Sequence, residues 1–319
     1  MTPDGKAPAG RAPARSGPDG RAPAGRVPPP GVHGGDGARL AAALGIPPGE
    51  VLDLSASLNP FAPDVARLAA RHLGDLRRYP DPADATAALA GAIGVDPDRV
   101  LLTAGGSEAI RLVAAELGGS VEEPEFALHP RSGGPRWRSN PHNPTGRLAP
   151  EGELAGVWDE AFYPIATGTW TRGDNAAVVV GSLTKVFACP GLRIGYVLAE
   201  PDLLRRVAAR QARWAVGGLG CALVPELLET AELPAWRDRI AEARSELWTL
   251  LSAHGLDPQP SDANWLLCAS ARGLRERLAL GAVAVRDCTS FGLPGWARVA
   301  VPDAAGLERL AHALGSTAP

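Results

Sequence analysis

At 319 residues and 45% hydrophobic, the chain can bury a substantial core, expected in two lobes. A formal net charge of -3, with Lys and Arg scattered rather than gathered into a stripe, argues against nucleic acid as a partner. Cys189, Cys221, Cys268 and Cys288 lie far apart with no CxxC pair, which points to reduced thiols in a cytoplasmic protein. No metal is expected. Neither an 18-residue apolar run nor a signal-peptide core is present, so no membrane partner is expected.

The first 31 residues carry repeated APA, GR and PDG units and end in Pro28, Pro29 and Pro30. With almost nothing to pack, they are expected to form a disordered tail. Order is expected from about His33. A short helix is predicted over 38–44 and a strand over 51–54, leading into SASLNPFAP. Further helices are predicted over 64–73 and 84–93, on either side of the turn-rich RRYPDP. Val100 to Thr103 reads as a buried strand, after which Gly105 and Gly106 open a helix over 107–117. The run Val178 to Val180 is a strand, and 201–214 and 235–254 are helical by period. Strands over 264–268, 283–287 and 297–301 precede a closing helix over 304–314. Alternating strands and helices argue for a mostly parallel α/β sheet with helices on both faces, followed by a smaller α+β lobe.

Four clusters carry chemistry. In VVVGSLTKVFACPGLRIGY, Lys185 stands just past a buried strand, with Ser182 three residues before it and Arg193 eight after. Poor hydration makes such an amine easier to deprotonate, and the hydroxyl and guanidinium could grip a phosphate. These are the requirements for holding pyridoxal phosphate through a Schiff-base lysine. A strand-end lysine snorkelling to solvent is the competing reading. In LLTAGGSEAI, Gly106 and Ser107 at a helix start offer free N–H groups to an anion, though an ordinary capped turn has the same form. In NPHNPTG, two X-Pro steps stiffen a loop from which Asn143 could donate to a phenolate oxygen, or which could be a structural turn. Asp159, in VWDEAFYP, could pair with a protonated pyridine nitrogen, or simply cap a helix.

In order along the chain, SASLNPFAP, RYPDP, TAGGSEAI, NPHNPTG, DEAF, SLTK, GLRIGY, ANWLL, VRDC and WARVAVP resemble the aminotransferase class I/II family, pyridoxal-phosphate enzymes of fold type I. The resemblance runs from about His33 to the C-terminus. It looks closest to histidinol-phosphate aminotransferases, and His33-Gly34-Gly35-Asp36 with the Pro before GLR tilts it toward threonine-phosphate decarboxylases of the cobalamin pathway. The resemblance implies that Lys185 bears the cofactor and shuttles protons. It places Asp159 at the pyridine nitrogen, Asn143 at the phenolate oxygen, and Gly106, Ser107, Ser182 and Arg193 at the phosphate. Tyr79 would reach the cofactor phosphate of a second copy, which implies a homodimer. Arg298 would bind the substrate carboxylate, with Arg286 and Asn59 near the rest of a small amino-acid substrate. Packing or surface roles remain the alternatives for Tyr79, Arg286 and Arg298.

By this reading the chain divides into the tail (1–31), an N-terminal segment on the small lobe (32–62), a large cofactor-binding domain (63–215) and a small domain (216–319). The large domain looks abbreviated. No strand is evident between Gly118 and Ser139, and Gly146 to Asp159 leaves little room for both a helix and a strand. The ring-stacking aromatic expected of the family would fall at Pro124, with Phe126 as a stand-in, and Phe162 stands where many relatives have tyrosine. Two outcomes follow: an active enzyme on a phosphorylated amino acid, by decarboxylation or transamination, or a non-catalytic relative with a cut-down frame.

Overall fold

Short runs of valine and leucine, broken by glycine, proline and aspartate, recur through the chain. The computed structural model, which describes residues 27–31, 33–173 and 177–315, turns them into three sheets. In chain order the strands are β1 (Leu52–Asp53), β2 (Val100–Thr103), β3 (Trp137–Ser139), β4 (Val157–Asp159), β5 (Val178–Ser182) and β6 (Gly195–Leu198). They continue as β7 (Asp257–Pro258), β8 (Trp265–Ala269), β9 (Val283–Ala284), β10 (Arg286–Asp287) and β11 (Ala297–Ala300).

The central sheet has the order β2-β6-β5-β4-β3. Four strands run one way and β6 opposes them, pairing antiparallel with β2 and β5, while β4 pairs in parallel with β3 and β5. Both faces are buried. Val178, Val180 and Val197 pack with Ile110 and Leu112 of the helix Gly106–Leu117, while Val179 and Trp158 pack with Leu89 and Leu223 on the other side. That double burial is why β5 reads as a continuous apolar run rather than an alternating one. A second sheet, β10-β11-β8-β7, is antiparallel, and its Leu266, Cys268 and Val299 form a separate core with Leu310 and Leu314. The parallel pair β1–β9 ties the N-terminal segment to this smaller lobe. The expected α/β architecture of fold type I, with its smaller α+β lobe, is therefore the one observed. No helix among the described residues is long and apolar enough to cross a membrane.

Several elements differ from expectation. The helix predicted over 201–214 stops at Ala208, where tighter hydrogen bonds from Arg210 and Gln211 close its last turn. The strand predicted over 283–287 splits, because β9 pairs with β1 and β10 with β11, in different sheets. The helix Gly218–Glu229 was unforeseen: nearly all apolar, with Gly220 and Pro225 inside it, it offers no amphipathic period, and it is held by burial of Leu223, Val224 and Leu227. In the segment 118–139, β3 supplies a short strand at the end. The rest is irregular, crossed only by the isolated bridges Gly119–Gly133 and Ser120–Arg136. Residues 147–156 hold no helix before β4.

Of the tail expected to be disordered, 1–26 lie outside the described residues, whereas 27–31 are docked. Val27 packs beside Leu40 and Ala41. The Pro28 carbonyl accepts from Arg275 Nη2 at 2.7 Å, the Gly31 carbonyl accepts from Arg286 Nη1 at 2.7 Å, and Gly31 N–H donates to Asp36 Oδ2 at 3.0 Å. Removing acceptors from two buried guanidiniums costs more than removing surface contacts. A protein truncated after residue 31 is therefore expected to melt several degrees below one truncated after residue 26. Equal melting temperatures would show that the docked segment contributes nothing.

Candidate active site

The glycine pair after β2 builds one corner of the site. Gly105 has φ +82°, and a Cβ there would stand 2.5 Å from Arg193 Nη2. A Cβ on Gly195 would stand 2.4 Å from the Gly105 carbonyl carbon. Only glycine permits this turn and this close approach. The geometry gathers the N-terminus of the helix Gly106–Leu117, Ser107, Ser182 at the end of β5, and Arg193 around a single cavity. Free N–H groups beside a guanidinium make an anion-binding corner. Gly105 is the N-cap, and Ser107 lies in the first turn.

β5 passes directly into the short helix Leu183–Val186, which carries Lys185. Its Nζ donates to the Ala56 carbonyl at 3.0 Å and lies 5.6 Å from the Phe162 ring centre. Burial, then the charges of Arg298 and Arg193, lowers the Lys185 amine from its usual 10.5 to about 8, against the pull of Asp53 and Asp159. Asp159 ends β4, a strand with both neighbours paired, so its carboxylate is held at the sheet edge of the cavity. Asp159 Oδ2 accepts from His129 Nε2 at 2.9 Å and Oδ1 from the Ala161 N–H at 3.0 Å.

Asn143 is buried on the loop after β3. Its N–H donates to Ser139 Oγ at 2.8 Å, and its Oδ1 accepts from Arg298 Nη1 at 2.7 Å, which leaves Nδ2 as a donor. Arg298, in the middle of the small sheet, sits 4.8 Å from the Trp265 ring centre, and its Nε has no partner. Burial lowers the Arg298 guanidinium to about 10, with Arg286 pushing the same way and Cys288 opposing. It stays charged near neutrality. Phe126 also lines the cavity, whereas Pro124 does not.

The cavity, about 550 Å³, thus brings together Gly106, Ser107, Asn143, Asp159, Ser182, Lys185, Arg193 and Arg298, which lie far apart in sequence. Three other expected residues lie outside its lining. Asn59 is a buried tether: its Nδ2 donates to the Val186 carbonyl at 2.9 Å and its N–H to the Lys185 carbonyl at 3.1 Å, anchoring the lysine-bearing turn. Arg286 is engaged by the Gly31 carbonyl and by Ser290 Oγ at 2.8 Å. Tyr79 is 79% exposed and stacks on Trp214, 4.5 Å between ring centres, on the outer surface. His129, unforeseen in the sequence, is the direct partner of Asp159. Its signal was a histidine four residues after Glu125 in the apolar EFALH. Among the described residues, no cluster of His, Cys, Asp and Glu could hold a metal ion.

The donor set fits pyridoxal phosphate on the structure's own terms. A buried amine of lowered basicity, an anion-binding corner of Gly106, Ser107, Ser182 and Arg193, and the polar side chains of Asn143 and Asp159 line one cavity. Residues 137–314 match the family described as Aminotransferase class I and II. A threonine-phosphate decarboxylase from Salmonella typhimurium is 30% identical over 348 residues, covering 88% of this chain and 95% of the relative. That alignment is longer than the 319-residue chain, so the relative has segments that this chain lacks. A histidinol-phosphate aminotransferase from Dechloromonas aromatica is 24% identical, covering 86% and 93%. The solved histidinol-phosphate aminotransferase from Sinorhizobium meliloti, in complex with pyridoxal-5'-phosphate, superposes with a TM-score of 0.74 at 20% identity, covering 88% of this chain and 95% of its own. The chain belongs to the aminotransferase class I and II family, whose cofactor is pyridoxal phosphate.

Proposed function

We propose that the protein is a pyridoxal-phosphate enzyme acting on a phosphorylated amino acid, in the manner of a threonine-phosphate decarboxylase. The observation that carries this reading is the convergence of Lys185, Asp159, Asn143, Arg193 and Arg298 on one cavity. When bound, pyridoxal phosphate supplies an electron sink for the bond broken at the substrate Cα. Lys185 is the residue whose amine would hold the cofactor and would hold or return a proton at that carbon. Asp159, steadied by His129, would hold the pyridine nitrogen, and Asn143 would donate to the phenolate oxygen. Gly106, Ser107, Ser182 and Arg193 hold the phosphate ester, and Arg298 receives the substrate carboxylate. His33 to Gly35, before the helix Gly37–Leu44, also line the cavity, and the proposal gives them the substrate phosphate. The names of the relatives support the phosphorylated substrate class.

The exposed apolar side chains Leu73, Leu76, Tyr79 and Trp214 suit contact with a second copy, so a homodimer in which Tyr79 serves the neighbouring site is part of the proposal. Decarboxylation and transamination need the same residues and differ in which Cα bond stands perpendicular to the cofactor ring. Histidinol-phosphate transamination is the second reading, favoured by relatives of that name. The test is to offer the loaded enzyme threonine phosphate and histidinol phosphate separately and to measure carbon dioxide and ketone products. Carbon dioxide from threonine phosphate alone is the expected result. No change in the visible cofactor band with either compound would reject the reading in favour of a non-catalytic relative.

A further inference from the structure

We infer that Glu125 is a positioning residue for the cofactor cage, acting through two arms: one through His129 to Asp159, the other through Ser139 to Asn143. The inference rests on the cofactor reading above and concerns a residue that touches neither cavity nor substrate. Glu125 is 3% exposed, in a stretch between Gly118 and Arg136 that holds no regular helix or strand among the described residues. A buried carboxylate there needs full satisfaction by hydrogen bonds. Oε2 accepts from the Ser139 N–H at 3.0 Å, and Oε1 accepts from the Phe126 N–H at 2.8 Å and from the Ser139 hydroxyl.

Each of those bonds leads toward the site. The Ser139 hydroxyl that donates to Glu125 also accepts the Asn143 N–H at 2.8 Å. The carboxylate is thus two hydrogen bonds from the backbone that places Asn143. On the other arm, His129 is fully enclosed between two carboxylates. Its Nε2 donates to Asp159 Oδ2 at 2.9 Å, while Nδ1 lies 3.8 Å from Glu125 Oε1 and has no hydrogen-bond partner. At that distance the Glu125 carboxylate lies against the ring edge opposite Asp159 and fixes which way the imidazole is turned. Held on that edge, the ring presents Nε2 to Asp159 Oδ2 and so steadies that carboxylate where it lines the cavity. Arg131 closes the loop from outside: its Nη1 donates to the His129 carbonyl at 2.6 Å and its Nε to Glu123 Oε1 at 2.7 Å. Glu123 in turn accepts the Glu125 N–H at 3.0 Å. His142 approaches from the NPHNPTG loop, its Nε2 4.0 Å from Glu125 Oε2. A polar network centred on one carboxylate therefore does the orienting work in a stretch without regular structure.

The experiment titrates pyridoxal phosphate into the purified full chain, following intrinsic fluorescence and the visible band, for wild type, Glu125→Gln, His129→Gln and the double variant. Glu125→Gln keeps the shape but loses the charge and one acceptor. It is expected to weaken cofactor binding about tenfold and to move the visible band. In the His129→Gln background it should weaken binding less than threefold further, because one arm is already cut. Wild-type affinity and an unmoved band in Glu125→Gln overturn the proposal. So does a loss that is undiminished in the His129→Gln background, because the proposal requires part of the effect to run through His129. If Glu125→Gln does not fold, Ser139→Ala decides: it cuts the hydroxyl link and leaves both backbone bonds to the carboxylate. At least threefold weaker binding then supports the proposal, and unchanged binding overturns it. Wild type that fails to bind pyridoxal phosphate rejects the cofactor reading itself.

Discussion

Lys185→Ala is expected to abolish the visible cofactor band and to lower turnover by at least about 10²–10⁴-fold, the scale of a positioned proton-transfer group. The amine is the covalent attachment point in the proposed mechanism, and its lowered basicity is what makes attachment efficient at neutral pH. With a pKa of about 8, roughly a tenth of the amine is free base at pH 7. An unperturbed lysine would offer about 0.03%. The rate of cofactor capture should therefore rise about tenfold between pH 7 and pH 9 and then level off. The same shift carries a cost. A lysine whose pKa is depressed on folding destabilises the cofactor-free protein fully below about pH 8, where it is charged in both states, and the penalty fades between about 8 and 10.5. Borohydride reduction followed by peptide mass mapping should place the pyridoxyl group on Lys185. A label on another lysine, or undiminished turnover in the alanine variant, would remove Lys185 from its assigned role.

How much of this was legible before the structure depends on whether the signal was local. The β5 run, the glycine pair at 105–106 and the lysine three residues past Ser182 are local patterns, set by strand propensity, by the absence of a Cβ and by helix-end geometry. They stand where the sequence placed them. The helix Gly218–Glu229 was hidden because a segment buried almost all round carries no amphipathic period. The split at Val285 was hidden because sheet membership is decided by partners 231 residues upstream for β9 and 10 downstream for β10, as the pairs Asp53–Ala284 and Asp287–Ala297 show. His129 and Glu125 were missed for a related reason. Their importance comes from Asp159, 30 residues away, and from Ser139, 14 residues away; EFALH shows a histidine four residues after a glutamate but identifies neither of those partners. Arg286 and Asn59 show the converse. Their positions fit the family's pattern, yet the structure engages both with backbone carbonyls outside the cavity lining.

Arg298→Lys is expected to weaken substrate binding by about 1.5–3 kcal/mol, the range of a charge-assisted hydrogen bond, or roughly 10- to 150-fold in KM. Arg298 already spends Nη1 on Asn143 Oδ1 and rests its flat face on Trp265, while Nε is buried with no partner. A substrate carboxylate would meet a guanidinium that lines the cavity and is already held in place by Asn143 and Trp265. A lysine ammonium keeps the charge but has neither the plane nor a second donor in fixed register, so it cannot hold Asn143 and a carboxylate together in the same geometry. Its desolvation in a site that already depresses the guanidinium to about 10 would also leave a less firmly charged group. Because Asn143 keeps its backbone bond to Ser139 Oγ, cofactor affinity should fall less than fivefold. The discriminating probe is a phosphorylated amino alcohol, which lacks the carboxylate: it should bind wild type and Arg298→Lys alike, while the amino acid loses affinity for the variant alone. Equal losses for both compounds, or loss of pyridoxal phosphate with the amino-acid response intact, would mean that Arg298 supports the cofactor cage and that the carboxylate is read elsewhere.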